Sequence, residues 1–186
     1  MQRWIAPWVL AAAVAHAGGL PTRMEMRDLA LPVRVLDTPS GLRIIAEQDR
    51  TTPRAAVVVV VDTGGADDPP GQEGLAHLVE HLAFRGRTDG KRPYTDLLDL
   101  AGAGTWNAFT AHDVTAYFAL GATDALPSLL RLEMTRALDP LRGVDAATFD
   151  VEREVVRNEL HQRDEQGAVS GVATELAAAL YPAGHR

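Results

Sequence analysis

Residues Gly74–Gly86 read GLAHLVEHLAFRG, and the assignment of this stretch decides the fold. Two histidines and a glutamate interrupt an apolar run that otherwise reads as a helix destined for burial. Each helical residue turns about 100°, so His77 and His81 lie on one face, one turn apart, with Glu80 beside them. Two imidazoles at i and i+4 can grip one cation. The simplest divalent choice is zinc, because imidazole suits it and a site of two histidines, one carboxylate and one water keeps the open position that hydrolysis needs. Glu80 would then stand next to the metal-bound water as a proton acceptor. The same residues would also describe two hydrogen-bonded or half-exposed histidines beside a surface glutamate. Deciding between the two requires a third ligand from elsewhere in the chain.

Upstream, Leu36–Gln48 (LDTPSGLRIIAEQ) holds short extended pieces around a Pro39-Ser40-Gly41 turn, and Asp49–Arg54 (DRTTPR) is the next turn. Ala55–Val61 (AAVVVVV) is β-branched and unbroken, which predicts a central strand covered on both faces. A Gly-, Pro- and Asp-rich loop then leads into the histidine helix. Downstream, a helix is expected over Thr95–Leu100, and Thr105–Leu120 reads as two strands around a turn near His112-Asp113. Asp124 is placed to cap a helix through ALPSLLRLEMTRAL, with Pro127 in its first turn. An amphipathic helix follows over Asp145–Gln166, ended by Gly167, and a last one over Val169–Leu180. Strands, two helices, strands and three helices make an α+β pattern, with helices packed on a largely antiparallel sheet. The chain stops at LYPAGHR with no closing strand, so a C-terminally truncated domain is expected.

The totals allow one domain with a real core: 186 residues, 46% hydrophobic and 23% charged. A formal charge of -7 argues against a nucleic-acid or anionic-membrane partner, since such binding needs a basic face. Cysteine is absent from the sequence, so any metal must be held by histidine and carboxylate. At the N-terminus, a short positive start (Met1-Gln2-Arg3), an apolar run (Trp4–Ala15) and the small-x-small end Ala15-His16-Ala17 match a secretory signal peptide over residues 1–17, followed by a connector over 18–35. A spanning helix needs about 20 apolar residues. Export to the periplasm or beyond, with no stable membrane anchor, is therefore expected.

The second acidic constellation lies in Val151–Leu160, VEREVVRNEL. Glu152, Val155, Val156 and Glu159 fall at i, i+3, i+4 and i+7, so two carboxylates share a face with two valines that should turn inward. A metal would neutralise one carboxylate, and a hydrogen bond to a ligand could hold the other. The alternative is an amphipathic helix whose acidic residues flank its apolar stripe and stay wet. Taken with the histidines, the pattern favours a metal site.

At this point the chain resembles the pitrilysin/insulinase family of zinc metallopeptidases, the inverzincins, whose motif reverses the usual order of the zinc-binding helix. Three blocks carry the likeness, in the family's order: GLAHLVEHLAFRG, GTWNAFTAHDVTAYF and FDVEREVVRNEL. The 78 residues from His81 to Glu159 are similar to the family's spacing. After the helix the family usually runs Phe-x-Gly-Thr, whereas this chain has Phe84-Arg85-Gly86-Arg87-Thr88.

The resemblance implies the N-terminal part of a mitochondrial-processing-peptidase-like metallohydrolase domain over residues 36–186. It implies one Zn2+ per catalytic domain, with His77, His81 and Glu159 as ligands, Glu80 as the general base and Glu152 as support behind a ligand. Asn107 and Ala108 match the pair on the edge strand along which the family's peptides lie, a job that suits an edge strand because an extended peptide can add its own backbone hydrogen bonds. The implied activity is hydrolysis of peptide bonds in unfolded or short peptides, by a zinc-bound water with Glu80 as base, and a second homologous domain or subunit is the implied partner. The other reading within the family is a non-catalytic subunit that only holds peptides. His112 and His161 are expected in turn or surface roles.

Overall fold

The computed structural model describes residues 32–166, together with Val172, Leu176, Ala179 and Leu180. The signal sequence expected over 1–17 lies outside the described residues, as does most of the helix expected over Val169–Leu180. The chain divides into two units, Met1–Thr51 and Thr52–Arg186. In the first, β1 (Val33–Asp37) and β2 (Arg43–Glu47) form an antiparallel hairpin. Its turn holds Gly41 at φ 86, and the Thr38 hydroxyl accepts the Leu42 amide at 3.0 Å.

The second unit carries the site. A three-stranded antiparallel sheet has the order β3-β5-β4, with β3 at Arg54–Val61, β4 at Ala103–Thr110 and β5 at Thr115–Ala122. The β4–β5 hairpin forms where the sequence alternates, and its register pairs Asn107 with Phe118, Ala108 with Tyr117 and Thr110 with Thr115. Helices α1 (Leu75–Arg85), α2 (Tyr94–Leu100), α3 (Leu126–Leu138) and α4 (Ala146–Gln166) complete the unit. No helix among the described residues is long and apolar enough to cross a membrane.

Three expectations fail locally. Of the two valines expected to turn inward beside Glu152 and Glu159, only Val156 is buried and Val155 is exposed, because adjacent helical residues point about 100° apart. The Ala55–Val61 run is not covered on both faces: among the described residues β3 pairs with β5 alone, and while Val57 is buried, Val58 and Val60 are exposed. An unbroken β-branched run reports strand propensity, but which strands flank it is decided far away in the chain. Asp124 does not cap α3. It sits inside a short 3-10 turn (Thr123–Ala125) that runs directly into α3, with Ala125 at the cap position.

The core places α2 and α3 beneath the sheet. Val57, Tyr94, Leu98, Ala119, Ala125 and Leu129 form one buried cluster, with Phe84 of α1 and Trp106 of β4 packed on it, their rings 5.2 Å apart. Buried Glu133 and Arg136, one turn apart on α3, pair with each other, and the guanidinium lies 3.6 Å from the centre of the Tyr117 ring. This pair spares each ion an unpartnered burial, which would cost several kcal/mol per ion, about the scale of an interior salt bridge left broken. A second cluster, Leu78 and Leu82 with Val156, clamps α1 to α4. That clamp sets the distance between the histidines and the acidic helix.

Candidate metal centre

The start of α1 is fixed by a carboxylate. Gly74 adopts the left-handed φ of 94 that a side chain would resist, and Asp68 accepts the amides of Gly74 at 2.7 Å and Ala76 at 2.8 Å. Two otherwise unpaired amides are satisfied and the positive end of the helix is complemented. At α4, Asp145 is the N-cap, its carboxylate accepting the Thr148 amide at 2.8 Å. The two helices that carry His77, His81, Glu152 and Glu159 are therefore anchored at their starts.

Between them, the side chains named from the sequence come together. The His77 and His81 rings lie edge-on, 4.8 Å between centroids. From α4, Glu159 puts one carboxylate oxygen 3.5 Å from His77 Nε2 and the other 3.6 Å from His81 Nε2. One ligand atom from each of the three residues can be chosen so that all lie within 4.8 Å of one another. Two imidazole nitrogens and a carboxylate oxygen are a donor set that suits Zn2+ and leaves room for a further ligand. The residues fit the ion.

Glu152, two turns before Glu159 on α4, is 3% exposed and does not join this group. One of its oxygens stands 3.3 Å from His81 Nδ1, and the other accepts Arg85 Nε at 2.7 Å. A proton donated from Nδ1 to Glu152 fixes the His81 ring and leaves the Nε2 lone pair facing Glu159. The half-exposed Arg85 balances the charge that this burial would otherwise strand.

Glu80 is 7% exposed and likewise outside the three-residue group. It accepts the Thr110 hydroxyl. It lines the same open cleft of about 430 Å³ as the histidines, Glu152 and Glu159, together with Trp106–Thr110 of β4. Asn107 and Ala108 sit on that strand. Asn107 is exposed, and its side-chain oxygen accepts the Ala108 amide at 2.9 Å. Among the described residues β4 pairs with β5 alone. His112 lies in the turn after β4 and His161 is exposed on α4; neither lines the cleft.

The model for insulinase, peptidase family M16, matches residues 43–183. The chain belongs to the insulinase family. Within it, the chain is 32% identical over 157 residues to an uncharacterized zinc protease of Mycobacterium tuberculosis, covering 82% of this chain and 34% of that protein. Coenzyme PQQ synthesis protein F of Pseudomonas aeruginosa is 35% identical over 151 residues, covering 79% of this chain and 19% of that one. The mitochondrial-processing peptidase subunit beta of Saccharomyces cerevisiae is 29% identical over 138 residues, covering 70% and 28%. Among solved structures, pitrilysin superposes with a TM-score of 0.61 at 26% identity, over 74% of this chain and 14% of that chain. A protease from Helicobacter pylori shares the fold at a TM-score of 0.64 and 23% identity, over 75% and 33%. The chain spans about a third or less of the length of these relatives. Its mixed helices and antiparallel strands are those of a pitrilysin-type domain, and it is zinc-protease-like.

Two cleft residues escaped the sequence reading, Arg85 and Thr110. Arg85 follows His81 at i+4, so helical spacing alone puts it on the metal face. Thr110 follows Ala108 at i+2 and shares its face of β4. Both signals were present, but their partners lie 67 and 30 positions away.

Proposed function

We propose that this domain holds the zinc ion of an endopeptidase that cleaves unfolded or short peptides. The observation that carries the reading is the convergence of His77, His81 and Glu159 on a common point, with Glu80 lining the same cleft. Bound there, Zn2+ would supply Lewis acidity toward a water and a scissile carbonyl. Everything else falls to the chain. His77, His81 and Glu159 hold the ion, and Glu152 fixes the His81 ring. Glu80 takes the proton from the attacking water and returns it to the departing amine. The outer edge of β4 at Asn107 and Ala108 receives an extended peptide, whose amides and carbonyls continue the antiparallel ladder.

The wall of the cleft opposite this domain is assigned to a second homologous domain or subunit, in keeping with a chain that spans about a third of the length of its relatives. The N-terminal pattern of residues 1–17 supports export to the periplasm or beyond.

The test is a pair of measurements on the zinc-loaded, full-length protein with quenched-fluorescence peptides. Glu80→Gln is expected to keep full zinc content and lose hydrolysis by about 10²- to 10⁴-fold, the usual worth of a positioned base. Equal rates in both proteins would remove Glu80 from the reaction. Zinc uptake with no cleavage by the wild type would favour the peptide-holding subunit over the enzyme.

A further inference from the structure

We infer that Thr110 is a positioning residue for the proton-accepting glutamate, whose carboxylate it holds by one oxygen. The inference rests on the peptidase reading above and names a residue that reading does not use.

Hydrogen counting gives the direction of the contact. Thr115 donates its single hydroxyl hydrogen to the Thr63 carbonyl at 2.9 Å. It therefore has none to give Thr110, whose hydroxyl lies 3.4 Å away. An ionised Glu80 has no hydrogen at all. The hydrogen shared by Thr110 and Glu80 must come from Thr110, and it is received at Glu80 Oε2. A carboxylate offers about four lone-pair sites, so this bond orients Glu80 and still leaves it able to accept a proton.

The support for Thr110 runs through the backbone. Thr110 and Thr115 are the closing register pair of the β4–β5 hairpin. The loop after β3 holds the turn of that hairpin: Gly65 N–H donates to the Ala111 carbonyl at 2.9 Å and Ala66 N–H to the His112 carbonyl at 2.8 Å. Gly64 comes so close that a Cβ there would stand 2.3 Å from the Ala111 oxygen. The threonine that grips Glu80 is thus anchored from β5 and from the loop after β3. It is also two residues along β4 from Ala108, on the same face. The strand that offers the peptide edge thus also grips the proton acceptor of α1, so the bond ties the base to the element that receives the substrate.

A misplacement of about 1 Å in a reacting group can cost about 10²-fold in rate. Thr110→Val keeps the shape and removes the donor; Thr110→Ser keeps the donor and removes a methyl. In the zinc-loaded full-length protein, Thr110→Val is expected to lower kcat by about 10- to 100-fold, with KM and zinc affinity, measured by chelator competition, within about twofold of wild type. Thr110→Ser is expected to recover kcat to within about threefold. The inference is overturned if Thr110→Val keeps wild-type kcat while Glu80→Gln is inactive. It is overturned equally if Thr110→Ser is as slow as Thr110→Val, which would make the role one of packing, or if the loss in Thr110→Val is matched by an equal loss of zinc affinity. A wild type that binds zinc and cleaves nothing would sink the peptidase reading, and this inference with it, whereas an active wild type beside a fully active Thr110→Val sinks the inference alone.

Discussion

At the scale of single residues, the centre is organised by what each polar atom is already bound to. His81 is held from both sides, Nδ1 toward Glu152 and Nε2 toward Glu159. Glu152 is in turn held by Arg85, so a buried carboxylate braces a histidine of the candidate site without joining the three-residue group. Glu152→Ala should therefore lower zinc affinity by about 10- to 100-fold, the usual cost of losing a partner behind a ligand. Chelator titration checks this, and an affinity within about twofold of wild type would reduce Glu152 to a packing role. Most of this scale was legible in the sequence. The i, i+4 histidines and the i, i+7 carboxylates each define a face by helical geometry alone. Spacing gave the faces of Arg85 and Thr110 but not their partners, because a hydrogen bond between distant segments leaves no local periodicity to read.

Among the elements, α1 and α4 matter most, since the distance between them sets the ligand geometry. They are clamped by Leu78 and Leu82 against Val156, and α4 is started by Asp145. The Thr148 amide holds the Asp145 carboxyl below its ordinary value of 3.8. A carboxyl lowered on folding contributes stability that is present above its unfolded value and is lost as the pH falls through the folded one. Asp145→Asn still offers an oxygen to the Thr148 amide and carries no charge. The thermal midpoint of the wild type should exceed that of Asp145→Asn above about pH 5, with the gap closing at more acid pH. A gap that does not change with pH would contradict this role for the charge. Element types were largely readable: the alternating Thr105–Leu120 stretch gave a hairpin and the amphipathic pattern from Asp145 gave α4. The exposed face of β3 and the burial of the Glu133–Arg136 pair were not. Strand neighbours and ion-pair burial are properties of the assembled fold, and a charged pair on a helix looks the same in sequence whether wet or buried.

For the molecule as a whole, the α+β class was fixed by the order of elements, and the centre lies where α1, α4 and the edge of β4 line one cleft. Its formal charge of -7 works against the counterion-release binding of nucleic acid. Under the proposed function this domain supplies one wall of a peptide-binding space, and the other is assigned to a second homologous domain or subunit, in keeping with a chain that covers about a third of its relatives' length. The claim on which all else depends is that two imidazoles of α1 and the distant Glu159 of α4 hold one zinc ion. Zinc-edge X-ray absorption on the full-length protein, paired with chelator titration of Glu159→Gln, tests it directly. We predict one zinc per domain with two imidazole ligands and oxygen completing the shell, and an affinity at least about tenfold weaker in Glu159→Gln. Zinc held with unchanged affinity in that variant, or a shell lacking two imidazoles, would contradict the account.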